Sequence, residues 1–147
     1  MSVKDIFPED ISVFIPEKIG KNNCENITIF KNIYHSYLII DTLNKPYTIL
    51  SSSEGFYNLT GYTSKEIVGK DVDILEGYET TDDSIEKIEE SLLLNKELDI
   101  NIIYYRKNRT TFLSNMHIIP SYNSDGIVVY FIAFQKEISK ELFVLSC

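Results

Sequence analysis

Thiol and imidazole side chains, which often act as nucleophiles, bases or metal ligands, are few and far apart in this chain of 147 residues. They are the two cysteines, Cys24 and Cys147, and the two histidines, His35 and His117. None of them lies at a C-x-x-C or other metal-type spacing, and the sequence contains no nucleophile elbow or P-loop. We therefore expect no enzyme activity, no catalytic residue and no metal site, and we predict that His117 is a surface or cross-strand histidine.

Cysteine usage and hydropathy indicate where the protein works. Two widely separated cysteines form no disulfide framework, which favours a reducing, intracellular setting, either cytoplasmic or nuclear. The first residues lack the apolar segment of a signal peptide, and no stretch approaches about 18 apolar residues. We expect neither secretion nor attachment to a membrane.

Carboxylates are the most abundant ionisable groups. The chain has 22 acidic and 14 basic residues, which gives a formal net charge of −8. Its lysines and arginines form no cluster, so we expect neutral or basic partners rather than nucleic acid or anionic lipid. The acidic run at residues 79–83 lacks the glycine-centred loop and terminal glutamate of a calcium site, and we interpret it as the start of a helix.

Hydrophobic periodicity predicts an ordered series of elements that would position these groups. In chain order they are strands at 37–41 and 47–50 joined by a turn at 44–46, short helices at 53–61 and 63–69, a longer helix at 82–94, and strands at 98–106, 110–120 and 127–138. Ser53 and Gly61 suit the two ends of the first short helix, and Thr63 with Glu66 has the spacing of a capping box.

This order of elements predicts the fold class. The longer helix places Ile85, Ile88 and Leu92 on one apolar stripe, with Leu93 as a further member. A strand pair, then helices, then a three-stranded meander require an α+β arrangement, an antiparallel sheet with helices on one face that can enclose a pocket.

We divide the chain into an N-terminal arm or cap (1–36), a domain (37–139) and a C-terminal tail (140–147). Residues 27–36 fit either a strand or a helix.

The sequence GFYNLTGYTSKEIVGKD occupies residues 55–71. Together with this order of elements, it resembles a PAS domain of the LOV (light-oxygen-voltage) subgroup of blue-light flavin sensors. Further matching pieces are ILEG at 74–77, YRKN at 105–108, FL at 112–113, IIP at 118–120 and YFIAFQ at 130–135. The IIP piece and the FQ at 134–135 most resemble the fungal white-collar and Vivid type. The resemblance covers residues 37–138 and implies a PAS fold, a five-stranded antiparallel sheet with short helices packed on one face. It specifies the fold more closely than the function.

The residues that hold and attack the flavin in this family are mostly replaced. The family motif G-R-N-C-R-F-L-Q corresponds to GKDVDILE at 69–76. Val72 stands at the position of the reactive cysteine, so the resemblance implies that no cysteinyl-flavin adduct forms. Asp73 and Glu76 stand where the family has a phosphate-binding arginine and a glutamine, and Glu89 falls near a second such arginine. Carboxylates repel a phosphate, so the affinity for FMN should be low.

Most of the residues that bond the edge of the flavin ring in this family are also replaced here. Two family asparagines correspond to Tyr104 and Ser114, and Asn115 should point to the opposite face of the sheet. Tyr104 is bulky enough to fill the place of the ring. Gln135, whose amide responds to the flavin in the family, is retained, and we interpret it as a polar residue hydrogen-bonded in a remodelled pocket rather than a retained relay. The family's cofactor-binding positions are thus Val72, Asp73, Glu76, Tyr104, Ser114 and Gln135.

Three interpretations of this pocket are open. Side chains fill it, or it admits a different uncharged or cationic ligand, or it binds a flavin and works by cysteine-free photoreduction with Tyr104 or Tyr57 as the electron donor. We favour the filled pocket and expect no cofactor, with FMN or FAD as the alternative. The predicted function is a LOV-like signalling module that acts through a protein partner or self-association, by its sheet face and N-terminal arm.

Overall fold

The computed structural model describes residues 33–42 and 47–139. The elements in chain order are β1 (Ser36–Asp41), β2 (Ile49–Ser52), α1 (Glu54–Thr60), α2 (Ser64–Ile67), a 3-10 helix (Val72–Leu75), α3 (Asp82–Leu94), β3 (Leu98–Tyr105), β4 (Thr111–Tyr122) and β5 (Val128–Glu137). The predicted turn at 44–46, the tail at 140–147 and all but the last four residues of the predicted arm lie outside the described residues.

All five strands form one antiparallel sheet in the order β2-β1-β5-β4-β3. β1 and β2 make the predicted hairpin, and β3, β4 and β5 make the predicted meander. The pairing of β1 with β5 joins these two units and aligns Ser36 with Gln135. The predicted α+β class, with a five-stranded antiparallel sheet, is confirmed.

The two short helices have the predicted caps. The Ser53 side chain accepts a hydrogen bond from the backbone N–H of Phe56, and α1 ends at Gly61, whose φ of 84° lies in the left-handed region that glycine adopts without strain. The backbone N–H of Thr63 donates to Glu66 Oε1 at 3.0 Å, and that of Glu66 donates to Thr63 Oγ1 at 3.3 Å. This reciprocal pair is the predicted capping box.

The longer helix, α3, begins where the acidic run predicts. Thr81 is its N-cap, and Asp82 and Asp83 lie in its first turn, where carboxylates suit the positive end of the helix dipole. Ile88 and Leu92 are buried as predicted. Leu93 is 60% exposed, so its assignment to the buried stripe was wrong. It lies about 100° around the helix from Leu92, beyond the edge of the stripe.

The core lies between the helices and one face of the sheet. Strand alternation sends every second side chain of β3, β4 and β5 to this face. Each helix adds one or two buried residues, and the cluster includes Phe56, Ile67, Leu75, Ile88, Leu92, Ile102, Tyr104, Phe112, Met116 and Phe131. The opposite face of the sheet carries a smaller cluster of Tyr34, Ile39, Ile119, Ile132 and Phe134. No helix in the described ranges is long and apolar enough to cross a bilayer.

Candidate functional site

The candidate site lies between the sheet and the segment that contains the 3-10 helix and α3. Asp71 caps the 3-10 helix, its Oδ1 accepting a hydrogen bond from the backbone N–H of Asp73 at 2.9 Å. A backbone hydrogen bond of 2.8 Å from Ile49 to the carbonyl of Lys70 ties this start to β2. Asp71 was not among the predicted site residues, although an aspartate whose side chain accepts from the backbone N–H two residues later is typical of such a cap.

The loop after the 3-10 helix is fastened to β3. The backbone N–H of Glu79 donates to the Tyr105 hydroxyl at 2.9 Å, and Thr80 Oγ1 donates to the carbonyl of Ile103 at 2.7 Å. Gly77 lies against the ring of Tyr105, where a Cβ would not fit. These contacts hold the preceding residue, Glu76, beside the sheet.

An inner cavity marks the place that the resemblance assigns to the flavin ring. It has a volume of about 10 Å³ and is lined by Leu38, Ile40, Val72, Leu75, Glu76, Ile88, Tyr104, Met116, Ile118, Ala133 and Gln135. Four of the six predicted pocket residues therefore converge here. Such a volume holds no more than about one water molecule.

Tyr104 occupies much of the space between the sheet and the 3-10 helix. Its side chain is 4% exposed, and its hydroxyl donates to the sulfur of Met116 at 3.7 Å. Its ring lies 6.5 Å from that of Phe112. Burial, with a smaller contribution from the negative charge of Glu76, raises the pKa of Tyr104. Tyr104 is therefore a neutral, packed core residue.

Gln135 and Ser114, the other predicted sheet positions, are both buried. Gln135 Oε1 accepts a hydrogen bond from Ser36 Oγ at 3.0 Å, whereas its Nε2 has no hydrogen-bond partner among the described residues. The oxygen of the Gln135 amide is thus hydrogen-bonded, as expected, whereas its nitrogen is not. Ser114 does not line the inner cavity. Asn115 lies on the opposite face as expected, where its Oδ1 accepts from the Tyr34 hydroxyl at 2.5 Å.

An outer cleft of about 350 Å³ adjoins the inner cavity and carries the predicted carboxylates. It is lined by Tyr47, Asp71, Val72, Asp73, Glu76, Ile88, Glu89, Leu92 and Leu93. Asp73, Glu76 and Glu89 are therefore brought together as expected, and Asp71 joins them. No lysine, arginine or histidine among the described residues lines this cleft.

The clustering of like charges changes the acidity of the cleft. Burial is the main cause that raises the pKa of Glu76 to about 7, and the charges of Asp73, Glu89 and Asp71 raise it further. Burial and the neighbouring Asp71 also raise the pKa of Asp73. The cleft is therefore an environment that disfavours additional negative charge.

Three ionisable side chains outside these two spaces, His117, Arg106 and Lys107, have structural partners. His117 Nε2 lies 2.6 Å from Glu97 Oε1, and His117 faces Asp99 across the β3–β4 pair, which confirms the predicted cross-strand histidine. Arg106 and Lys107 line a second cleft but pair with Glu137 and Glu66. Within residues 33–42 and 47–139, no three histidine, cysteine or acidic side chains are placed to hold a metal ion.

The protein is an α+β domain, with one antiparallel sheet, helices on one face of it and a small central cavity. Domains of this type enclose ligands or present the sheet to partners. The family model described as PAS domain matches residues 35–140. The chain belongs to the PAS family.

Comparison with individual proteins places the chain within that family. It is 36% identical over 105 residues to phototropin-1A of rice, Oryza sativa subsp. japonica, a match that covers 71% of this chain and 11% of phototropin-1A. It thus corresponds to a small part of this much longer relative. The chain is a PAS domain of the LOV type, homologous to parts of phototropin-1A and of a blue-light-activated histidine kinase of Brucella canis.

Solved structures agree on the fold. The dark structure of the blue-light photoreceptor Aureochrome1 LOV superposes with a TM-score of 0.76 at 24% identity, covering 81% of this chain and 87% of that one. The PAS domain of the fruit-fly ELK potassium channel superposes with a TM-score of 0.69 at 29% identity, covering 78% and 94%. The same fold therefore serves both a photoreceptor and an ion channel, and the chemistry of the site must decide between functions.

Proposed function

We propose that this chain is a LOV-like PAS signalling module with a degenerate flavin site, which acts through protein–protein contact or self-association without forming a cysteinyl-flavin adduct. The observation that carries the proposal is the size of the inner cavity. Its volume of about 10 Å³ compares with roughly 300–1,000 Å³ for pockets that enclose small molecules. A flavin ring does not fit while Tyr104 holds its packed position.

Charge supports the same conclusion. A phosphate placed near the 3-10 helix would meet Asp71, Asp73, Glu76 and Glu89, and no basic side chain of the described residues lines that cleft. Replacing an arginine by a carboxylate removes a charge-assisted hydrogen bond of about 1.5–3 kcal/mol and adds repulsion. Two or three such replacements would remove ordinary affinity for FMN.

The adduct chemistry lacks its nucleophile. Val72 lines both the inner cavity and the outer cleft at the position that the resemblance assigns to the reactive cysteine. A valine side chain has no group that can bond to a flavin carbon. The proposed mode of action is therefore contact with a protein.

The face of the sheet opposite the helices is the predicted region of protein contact. Tyr34, Ile39, Ile119, Ile132 and Phe134 form an apolar cluster there. These five side chains are at most 6% exposed, so a partner would contact the partly exposed Tyr37 and Tyr130 that pack against them. We propose this sheet face and the N-terminal arm (1–36) as the region of contact with a partner or a second copy. Light scattering of the full chain, with and without residues 1–32, tests whether self-association depends on the arm.

An absorbance spectrum of the purified full chain tests the proposal about the cofactor. We expect no absorption band of a flavin in the blue, no flavin released on denaturation by mass analysis, and no binding of added riboflavin, FMN or FAD. A parallel preparation with FMN in every buffer controls for loss of flavin during purification. Stoichiometric yellow flavin in the chain would contradict the proposal and favour the alternative of cysteine-free photoreduction.

A second candidate function is sensing of a different small molecule. The outer cleft, at about 350 Å³, is within the size range of ligand pockets and would favour an uncharged or cationic ligand. Native mass spectrometry of freshly purified protein tests this candidate, because a bound ligand adds a fixed mass that disappears on denaturation.

A further inference from the structure

Glu76 connects two spaces that are otherwise separate. The outer cleft and the inner cavity share three lining residues, Val72, Ile88 and Glu76. Of these three, Glu76 is the one that is polar and ionisable. It follows the 3-10 helix as its C-cap, with its backbone N–H donating to the carbonyl of Asp73 at 2.9 Å. The carboxyl group of Glu76 is thus placed to exchange protons with the cleft and to act on the interior.

The inner cavity contains an unsatisfied donor. Gln135 is 1% exposed, and its Nε2 has no hydrogen-bond partner among the described residues. A buried donor left in this state costs free energy comparable to a lost hydrogen bond, so such groups are usually bonded to an internal water. The cavity volume of about 10 Å³ matches the space that one water needs. Glu76 and Tyr104 line the same cavity and carry the other oxygen atoms of its side-chain lining.

We propose that Glu76, one internal water and Gln135 form a proton-responsive unit that couples the pH of the outer cleft to the pairing of β1 with β5. The proton comes from solvent through the cleft and binds to the carboxylate of Glu76. Ionised Glu76 accepts a hydrogen bond from the water, which accepts one from Gln135 Nε2. Protonated Glu76 instead donates to the water, and the water must turn its hydrogens elsewhere.

The far end of this unit lies at the first residue of β1. Gln135 Oε1 accepts the hydrogen bond of Ser36 Oγ, and Ser36 is paired with Gln135 in the sheet. Polarisation of one end of an amide changes the strength of the hydrogen bond at its other end. Protonation of Glu76 therefore changes the link between β5 and the chain that leads into β1.

The groups that face Glu76 place its titration near neutral pH. Asp71 and Asp73 face it from the 3-10 helix, Glu89 from α3 and Tyr104 from β3, and Tyr47 lines the same cleft. None of these groups carries a positive charge. Burial and the three carboxylates raise the pKa of Glu76 to about 7. A change of pH within the range of a living cell therefore changes its charge.

Nuclear magnetic resonance of the full chain tests this unit directly. We expect the side-chain carboxyl carbon of Glu76 to titrate with a midpoint near pH 7. The side-chain amide of Gln135 should shift with the same midpoint and show magnetisation transfer from a long-lived water. In Glu76→Gln, the shift of Gln135 with pH should disappear.

A control separates coupling from a general effect of pH. Glu89→Gln removes a repelling charge from an exposed position of α3, so both resonances should titrate together at a lower midpoint. A Glu76 midpoint near its ordinary value, or a Gln135 amide that stays constant through the titration of Glu76, would overturn the proposal. The wild-type spectra decide this even if Glu76→Gln fails to fold.

The inference rests on the proposed function in one respect, because a flavin ring would displace the water. The proposed function and the proton-responsive unit can fail separately. Stoichiometric flavin in the absorbance spectrum contradicts the proposed function, whereas a flavin-free chain without the coupled titration contradicts the proton-responsive unit alone.

Discussion

At the scale of the residue, Tyr104 has the largest influence on what the site can hold. It is buried against the sheet, and its hydroxyl contacts Met116 rather than solvent. At this position the tyrosine side chain supplies the volume and the polarity that a bound ligand would otherwise supply. The site is therefore part of the hydrophobic core, and its stability should depend on this ring.

Tyr104→Ala should destabilise the protein by about 3–5 kcal/mol, because it removes a buried ring and leaves a cavity. Urea unfolding followed by circular dichroism measures this change. Tyr104→Phe is the matched control, since it keeps the ring and loses only the hydrogen bond to Met116, at a cost of no more than about 1.5 kcal/mol. A Tyr104→Ala protein as stable as the wild type would show that the ring does not fill the core.

At the scale of the element, the helices are positioned by caps and by close approaches of the backbone. Gly55 in α1 lies so close to the carbonyl of His35 that a Cβ would overlap it. α1 therefore packs directly on the chain that leads into β1. At the other side of the site, Thr81 sets the start of α3 and so the position of Glu89 over the cleft.

Gly55→Ala should destabilise the protein by about 1–3 kcal/mol, because the added methyl group forces α1 away from β1. Thermal unfolding at fixed pH measures the effect. Asn58→Ala changes an exposed position in the same helix and should have little effect, since alanine has the higher helix propensity. Equal stability of the two variants would contradict the close packing of α1 on the residue before β1.

Thr81→Ala should cost about 1 kcal/mol, because α3 loses the side chain that accepts a hydrogen bond from the backbone N–H of Ser84. Thr81→Ser keeps the hydroxyl and should restore most of this stability. Chemical denaturation of the three proteins gives the comparison. If serine were as unfavourable as alanine, loss of the methyl group rather than loss of the cap would explain the cost.

At the scale of the whole molecule, acidic residues outnumber basic ones and several of them meet in one cleft. The formal net charge of −8 is spread along the sequence, but the fold gathers Asp71, Asp73, Glu76 and Glu89 around a space of about 350 Å³. Elsewhere the fold pairs opposite charges: Glu66 accepts from Lys107 and from Thr63, and these contacts lower its pKa to about 2. The two glutamates therefore affect stability in separate pH ranges.

The free energy of unfolding should fall as pH rises from about 4.5 to about 7, because folded Glu76 holds a proton in this range that the unfolded chain has released. The raised pKa of Asp73 acts in the same direction. Glu66 contributes its stability fully above its ordinary pKa of 4.5 and loses it only toward pH 2. Urea unfolding as a function of pH should show the fall in the wild type and a smaller fall in Glu76→Gln. An identical pH dependence of the two proteins would contradict this assignment.

Much of the fold follows from local patterns that the sequence already contains. The caps at Ser53 and Thr63, the left-handed Gly61 and the start of α3 depend on neighbouring residues, so their prediction succeeded. The error at Leu93 arose because the width of a buried stripe depends on what the helix packs against. The part played by Asp71 at the cleft was missed for a similar reason, since only the fold brings it beside Glu76.

The sequence by itself determined the order of the elements and the antiparallel sheet, because these depend on periodicity, caps and composition. The residues at the family's pocket positions followed from the resemblance of the sequence motifs to that family. Only the tertiary structure decided that Tyr104 leaves a cavity of about 10 Å³, that Gln135 keeps one bonded and one unsatisfied end, and that four carboxylates converge on one cleft. Volume, burial and repulsion arise between residues that are far apart along the chain. They are therefore properties of the packed molecule.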